Sequence, residues 1–318
     1  MMVQMQTPIF CLLGPTAVGK TAIAIALVER FPELSIVSVD SAMVYRRMNI
    51  GTGKPDVQTL AKAPHQLINI REPWETYSAA DFSVDARAAI AQCHAQGKIP
   101  FLVGGTFLYF KALEQGLSDL PAASPATRAI IQATAAAEGW PALHAQLAAC
   151  DPKTALRLSP QDSQRITRAL EVFQLTGRPL SDFIAEHKKN PQAHTLPGKV
   201  IPFILNTASR TELHARIMAR FNDMMKHGFL EEVRALLNEP QIHADLPSMR
   251  AVGYRQLIDY CQPKADQPQI TLDNAVEKGI AATRQLAKRQ LTWLRSLTVP
   301  SFTNPNDLIQ AITRQLSR

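Results

Sequence analysis

Pro8-Ile9-Phe10-Cys11-Leu12-Leu13-Gly14-Pro15-Thr16-Ala17-Val18-Gly19-Lys20-Thr21 is an apolar run that stops at a glycine and continues into a short loop. A brief apolar run bounded by glycine reads as a buried strand. From Thr21 to Arg30 the chain is apolar and Ala-rich at helical period. Gly14 to Thr21 fits G-x-x-x-x-G-K-[ST], placed between strand and helix as that motif requires. Glycines let the backbone curl so that its N–H groups point inward, and the helix N-terminus adds partial positive charge. Lys20 brings a full charge to the terminal phosphates, and the Thr21 hydroxyl is placed to hold Mg2+. A glycine turn that binds nothing is the competing reading, and the strand-loop-helix setting argues against it. The loop specifies a polyphosphate, not which one.

The neighbouring segments continue the alternation. Ser35 to Val39 is a β-branched strand ending in Asp40. Ser78 to Gln96 reads as a helix with Ala80, Val84, Ala88 and Ala91 on one face and Gly97 as its stop. Ile99 to Val103 is a strand ending in Gly104-Gly105-Thr106. Strands alternating with helices predict an α/β fold, a P-loop NTPase-like parallel sheet flanked by helices on both faces. Phosphate-transferring loops usually work with a second strand ending in an acid that helps hold Mg2+. Ile99 to Val103 lacks one, so Asp40 is a metal-shell acid, a catalytic base, or simply a helix N-cap.

From about Leu120 to Lys199 no strand is evident. Pro121, Pro125 and Pro141 punctuate Ala-rich helices. Ser159-Pro160-Gln161-Asp162 has the features of a helix start, and that helix should stop near Gly177. His187 to Gly198 reads as a loop. Val200 to Leu205 returns as a strand. The economical organisation is a discontinuous core, 1–119 and 200–318, interrupted by an all-helical insertion domain over 120–199. Beyond Leu205 the chain reads as helical. Ser209-Arg210-Thr211-Glu212 fits a capping box, with Leu213, Ile217, Phe221 and Met224 as the buried stripe and Gly228 as the stop. The final helix covers Asn274 to Leu297.

With 318 residues, 46% of them hydrophobic and 19% charged, the chain has material for a sizeable core, which excludes general disorder. Its net charge of +7 suits a polyanionic partner. No acid occurs between Glu277 and Asp307, while Arg284, Lys288 and Arg295 flank a stripe of Ile280, Ala287, Leu291 and Leu294. Arg165 and Arg168 form a second basic pair on the insertion. One such cluster is ordinarily a solvated face; two on separate elements suit a bent polyanion. No apolar run approaches the ~20 residues of a membrane span, and Met1 to Gln6 lacks the marks of a secretory signal. Cys11, Cys93, Cys150 and Cys261 lie too far apart for a metal-binding or disulfide pattern and read as reduced thiols of a cytoplasmic protein.

Five further segments follow the loop in order. The first is Asp40-Ser41-Ala42-Met43-Val44-Tyr45-Arg46 with Ile50-Gly51-Thr52-Gly53-Lys54-Pro55. The second is Leu102 to Tyr109. The third is Asp162-Ser163-Gln164-Arg165-Ile166-Thr167-Arg168 with Thr176-Gly177-Arg178. The fourth is Arg250-Ala251-Val252-Gly253-Tyr254-Arg255. The last is Thr283 to Arg295, including Lys288-Arg289-Gln290-Leu291-Thr292-Trp293-Leu294-Arg295. Together they resemble the bacterial tRNA dimethylallyltransferases, over about Ile9 to Arg295.

The resemblance implies transfer of a dimethylallyl group from dimethylallyl diphosphate to N6 of adenine 37 in the tRNA anticodon loop. It makes Asp40 the acceptor of a hydrogen bond or proton from the adenine amine and puts Thr106 at the same centre, beside Ser41, Ala42 and Met43. Gly14, Pro15, Thr16, Ala17, Val18, Gly19, Lys20 and Thr21 become a diphosphate cradle, which agrees with the missing second acid. Gln164 to Arg168, Arg250 to Arg255 and Lys288 to Arg295 match segments that touch tRNA, and Arg128 matches a further contact. Many members carry Gln at Met43, Gly at Arg47, Asp at Asn49 and Ala at Gly53. Arg216 and Arg220, one helical turn apart, reach towards the diphosphate or form a surface pair; Arg220 is assigned to the diphosphate. Trp293 and Tyr254 either stack bases or pack in the core. One continuous tRNA site requires only a monomer. The rival readings are a small-molecule kinase with the same loop, an adenylate isopentenyltransferase, and an RNA-binding protein without catalysis.

Overall fold

The computed structural model describes residues 7–189, 196–263 and 270–317. The expectation drawn from Met1 to Gln6 lies outside the described residues. The chain forms two compact units, Met1–Glu114 with Leu196–Arg318, and Gln115–Thr195.

Six strands make one sheet among the described residues: β1 (Ile9–Leu13), β2 (Leu34–Val39), β3 (His65–Gln66), β4 (Ile99–Gly104), β5 (Val200–Leu205) and β6 (Ser301–Phe302). Their order is β3-β2-β4-β1-β5-β6, and every pairing is parallel. In β1, Ile9, Cys11 and Leu13 enter the core on one face, and Phe10 and Leu12 enter it on the other. Burial on both faces explains why the strand reads as continuously apolar rather than alternating. The first face is covered by α3 (Ala79–Ala95), α4 (Phe107–Gln115), α10 (Arg210–Lys226), α11 (Phe229–Leu237), α12 (Tyr254–Cys261) and α13 (Leu272–Leu294). The second is covered by α1 (Lys20–Arg30) and α14 (Pro305–Leu316). Because β2, β4 and β1 are neighbours, the residues after them converge at one edge: Asp40, Gly105-Thr106 and the loop from Gly14. Carboxyl ends of parallel strands are where open α/β sheets bind ligands.

Several elements differ from expectation. In α3 the buried face is Phe82, Ala86, Ala89, Ile90 and Cys93, and Ala80, Val84, Ala88 and Ala91 are exposed. Phe82 and Ile90 bury far more apolar area than the alanines, so they decide which side faces the sheet. The last helix is α14 rather than α13, and the short strands β3 and β6, with α2 (Val57–Lys62), carry too few residues to show a period. Ser209 caps α10, accepting the N–H of Glu212 at 3.1 Å, but the Glu212 carboxylate takes the N–H of Ala208 instead of closing the box.

The second unit is helical: α5 (Pro125–Glu138), α6 (Trp140–Cys150), α7 (Pro152–Ala155), α8 (Ser163–Thr176) and α9 (Leu180–Lys189). Ile131, Leu143, Leu147, Ile166 and Leu170 fill its core. The cap of α8 is Asp162, not Ser159; its carboxylate accepts the N–H of Arg165. Gly177 closes the helix at φ 69°, the left-handed backbone that favours glycine. His187 to Lys189, expected in a loop, end α9, and residues 190–195 of that expectation lie outside the described residues.

Candidate active site

The loop after β1 is forced by close approach. A Cβ on Gly14 would lie 2.5 Å from the Leu205 carbonyl oxygen, so only glycine lets the chain leave the sheet beside β5. Ala17 (φ 63°) and Gly19 (φ 103°) then take left-handed backbone, which curls the loop before α1 begins at Lys20. Lys20 folds back over this curl, its Nζ donating to Gly14 O at 2.9 Å and Pro15 O at 2.8 Å. Burial pushes its ammonium down to about 7; the Asp40 carboxylate opposes that shift and the Arg220 guanidinium adds to it.

At the end of β2, Asp40 is a turn residue rather than a helix cap. Its Oδ1 accepts the N–H groups of Ala42 (2.8 Å) and Met43 (3.1 Å). Oδ2 receives no hydrogen bond from the described residues. Thr106, after β4, donates its N–H to Val39 O at 3.2 Å, and its Oγ1 accepts the Ser41 N–H at 3.1 Å. Thr106 and Asp40 are thus joined through Ser41. The two glycines before Thr106 are required by space. A Cβ on Gly104 would meet Val39 O at 2.0 Å, and one on Gly105 would meet Gln290 Nε2 at 2.6 Å.

The two arginines of α10 divide their work. Arg216 donates to Val18 O at 3.1 Å and pairs with Glu212 at 2.8 Å, so it braces the loop from outside. Arg220 lies across the backbone at Thr52 and Gly53, where a Cβ on Gly53 would come 1.8 Å from its Nη2. Burial lowers its proton affinity and Asp40 counters this. Lys54 spends all three ammonium protons on Tyr45 O, Asn49 Oδ1 and Asn69 Oδ1, and is a strut. Glu232 accepts the N–H groups of Asn49, Ile50 and Gly51 and the Tyr254 hydroxyl (2.6 Å), which fixes the segment carrying Thr52.

Two cavities meet here. One, of about 710 Å³, is lined by Gly19, Lys20, Thr21, Asp40, Met43 and Arg220. The other, of about 680 Å³, has aromatic walls (Tyr45, Tyr77, Phe107, Phe221, Tyr254, Trp293) together with the exposed Arg250 and Arg289. Thr16, Asp40, Thr52, Gly105, Arg220 and Gln290 line both.

The structure sorts the residues singled out from the sequence. Ser41, Ala42, Ala251 and Val252 line the aromatic cavity, but Met43 faces the other one. Trp293 stacks one face on Phe107, with centroids 4.2 Å apart, and Tyr254 is fully buried, so both serve packing while they line the aromatic cavity. Gln164, Arg165, Arg255, Lys288, Thr292 and Arg295 are exposed. Ile166, Thr167, Gln290 and Leu294 are buried, and Leu291 packs against the core, because the helical period turns these positions inward; Gly253, which precedes α12, is buried against Phe229. The insertion's basic pair is not free. Arg165 bonds Asp162 at 3.0 Å, and Arg168 bonds Glu171 at 2.6 Å. Arg128 bonds the same carboxylate twice, at 2.8 and 3.1 Å. Burial alone would raise the Glu171 carboxyl, but these guanidinium bonds and the Ser124 N–H hold it below its usual range. Lys54, Glu232 and Glu171 were not legible as site-forming residues. Gln290 had a signal: it is a polar residue at the border of the predicted apolar stripe of α13, next to Leu294 and away from Arg284 and Lys288.

Comparison with known proteins gives two family matches, "IPP transferase" over residues 43–297 and "Isopentenyl transferase" over residues 7–76. The chain is 53% identical to the tRNA dimethylallyltransferase of Paraburkholderia phymatum, covering 93% of this chain and 92% of the relative. It is 55% identical to that of Thiobacillus denitrificans, covering 91% and 89%. Among solved structures it is similar to the tRNA isopentenylpyrophosphate transferase of Bacillus halodurans (TM-score 0.68, 32% identity, 98% and 96% covered). It is also similar to a eukaryotic dimethylallyltransferase described as acting on tRNA (TM-score 0.72, 26% identity, 91% and 70% covered).

Proposed function

The chain belongs to the IPP transferase family, and from that premise we propose that it transfers a dimethylallyl group from dimethylallyl diphosphate to N6 of adenine 37 in the anticodon loop of tRNA. The carrying observation is that a cavity walled by the phosphate loop and one walled by aromatic side chains share Asp40. In this reading diphosphate enters on the Lys20 side and the adenine, flipped out of its stack, enters on the aromatic side. N6 attacks the allylic C1, the C1–O bond breaks, and diphosphate leaves with the bonding electrons. Lys20, Arg220 and the N–H groups of the loop stabilise the negative charge that develops on it. Asp40 Oδ2 takes the N6 proton, while Thr106 and Ser41 hold the turn that aims it. The aromatic walls keep water from the allylic carbon.

A divalent cation fits the donor set. Among the described residues no three His, Cys, Asp or Glu side chains cluster to hold a metal alone. The Thr21 hydroxyl offers a hard oxygen donor in the cavity of the phosphate loop, and Mg2+ typically takes few protein oxygens and completes its shell with waters and substrate phosphates. When bound, it would offset charge on the diphosphate. Thr21→Ala is expected to raise the Mg2+ concentration needed for half-maximal transfer several-fold; a titration of rate against Mg2+ that matches the unaltered enzyme removes this contact.

The RNA would lie along the exposed cations of α13, beside the aromatic cavity. A single chain supplies every group named here, so the reading needs only a monomer, and among the described residues no helix is long and apolar enough to cross a membrane. Lys288→Ala should weaken tRNA binding and reduce the slope of log K against log salt by roughly 0.7–0.9, one phosphate's worth of released counterion. An unaltered slope makes that face a bystander. The function as a whole is tested by incubating the protein with labelled dimethylallyl diphosphate and unmodified tRNA. Label in tRNA at N6-dimethylallyladenosine supports it; label passed only to free AMP, or phosphate passed from ATP with release of ADP, overturns it.

A further inference from the structure

We propose that Gln290 is a positioning residue, which fixes the separation between the loop that grips diphosphate and the segment that faces adenine. This role rests on the transfer reading above. Gln290 is 7% exposed, although its neighbours Lys288 and Arg289 on α13 are exposed. Its Oε1 accepts the Thr16 N–H at 2.8 Å, and its Nε2 donates to Gly105 O at 2.9 Å. One planar amide therefore ties the phosphate loop to the residue before Thr106, and it does so where the two cavities meet.

The fit is tight on both sides. Gly105 has no Cβ where one would lie 2.6 Å from Nε2 and 3.2 Å from Gly14 O. With both polar atoms bonded to backbone groups and the side chain buried, Gln290 is engaged by the protein itself. The two backbone groups it meets dictate its residue type. Thr16 presents a donor and Gly105 an acceptor, and a primary amide answers both at once. Leaving either group buried and unpaired is costly, so the bridge holds firmly.

The chemical consequence concerns distance. N6 and C1 react only when held roughly 3–3.5 Å apart and aligned, and a misplacement of about 1 Å costs on the order of 10²-fold in rate. C1 is located through its diphosphate by the loop, and N6 is located by Asp40 and Thr106. Gln290 links these two frames. If the link loosens, N6 attack slows and water gains access to C1. Water then forms the new C–O bond, the C1–O bond to diphosphate breaks, and the water proton passes to solvent. The side product is dimethylallyl alcohol.

The test compares Gln290→Met, close in shape but apolar, with Gln290→Glu, which keeps the bond from Thr16 and loses the one to Gly105. For each, kcat, KM for both substrates, tRNA affinity and the ratio of alcohol to modified adenine are measured. Gln290→Met is expected to lower kcat by ~10²-fold with tRNA affinity within about twofold, and to raise the alcohol ratio. A several-fold loss of tRNA affinity at unchanged kcat would make Gln290 an RNA contact and overturn the proposal, as would no change in any quantity. If Gln290→Met does not fold, Gln290→Glu decides on the same readouts. An unaltered protein that transfers nothing to tRNA brings down the transfer reading itself, a result distinct from any variant's.

Discussion

Asp40→Asn should abolish most turnover, by at least ~10²-fold, while tRNA binds almost as before. The Asn variant is the sharper probe, because the proposed reaction gives the carboxylate two jobs on two oxygens. Oδ1 holds the turn through the N–H groups of Ala42 and Met43, and an amide oxygen accepts those bonds equally well. Oδ2 has no partner among the described residues and is the atom left for the N6 proton. An amide cannot take that proton, and losing a general base ordinarily costs ~10²–10⁴-fold. Asp40→Ala removes both jobs, so it should match the Asn variant in turnover and fall below it in thermal stability by about two backbone hydrogen bonds, roughly 1 kcal/mol each. The check is single-turnover kinetics beside a binding titration. Turnover in Asp40→Asn equal to that of the unaltered protein would take the carboxylate out of the chemistry.

Lys20→Ala should be comparably severe, with kcat/KM reduced by ~10²–10³-fold, the range seen when a positioned stabiliser of developing charge is removed. Lys54 lines the same cavity but cannot substitute, since its three protons are already donated. Lys20 also gives the site a pH dependence of definite sign. In the free protein burial pushes its ammonium down to about 7. Bound diphosphate favours the charged form, so binding above pH 7 must take up a proton. Affinity for inorganic diphosphate should therefore fall as pH rises from 7 to 9, by up to about tenfold per unit. Diphosphate's own titration contributes equally to both proteins, so the difference in slope between unaltered protein and Lys20→Ala isolates the lysine. Identical slopes would mean that Lys20 is not the group taking up the proton.

Local signals make the frame readable from the chain alone. Ile9 to Thr21 announces a buried strand, a curled loop and a helix start within thirteen residues, and each is a short-range property. The sheet follows, since strands separated by helices pair in parallel. The face of α3 departs from expectation because alanine spacing carries little burial energy beside one phenylalanine. The partners of the site are hidden for a different reason. Glu232 serves Asn49 to Gly51, and Gln290 serves Thr16 and Gly105, at sequence separations of 181 to 274. No periodicity encodes such bonds. Composition likewise overstates the insertion's basic character, because Glu171 answers both Arg128 and Arg168 from inside the unit.

The place of β5 in the sheet has a bearing on biosynthesis. It borders β1, and its Leu205 carbonyl is the surface against which Gly14 turns. A nascent chain thus emits its glycine-lysine loop near the start but cannot brace it until almost two hundred residues later, and the Gln290 bridge arrives later still. During translation the ribosome releases a loop without its mould, so the catalytic pocket is among the last features the polypeptide completes.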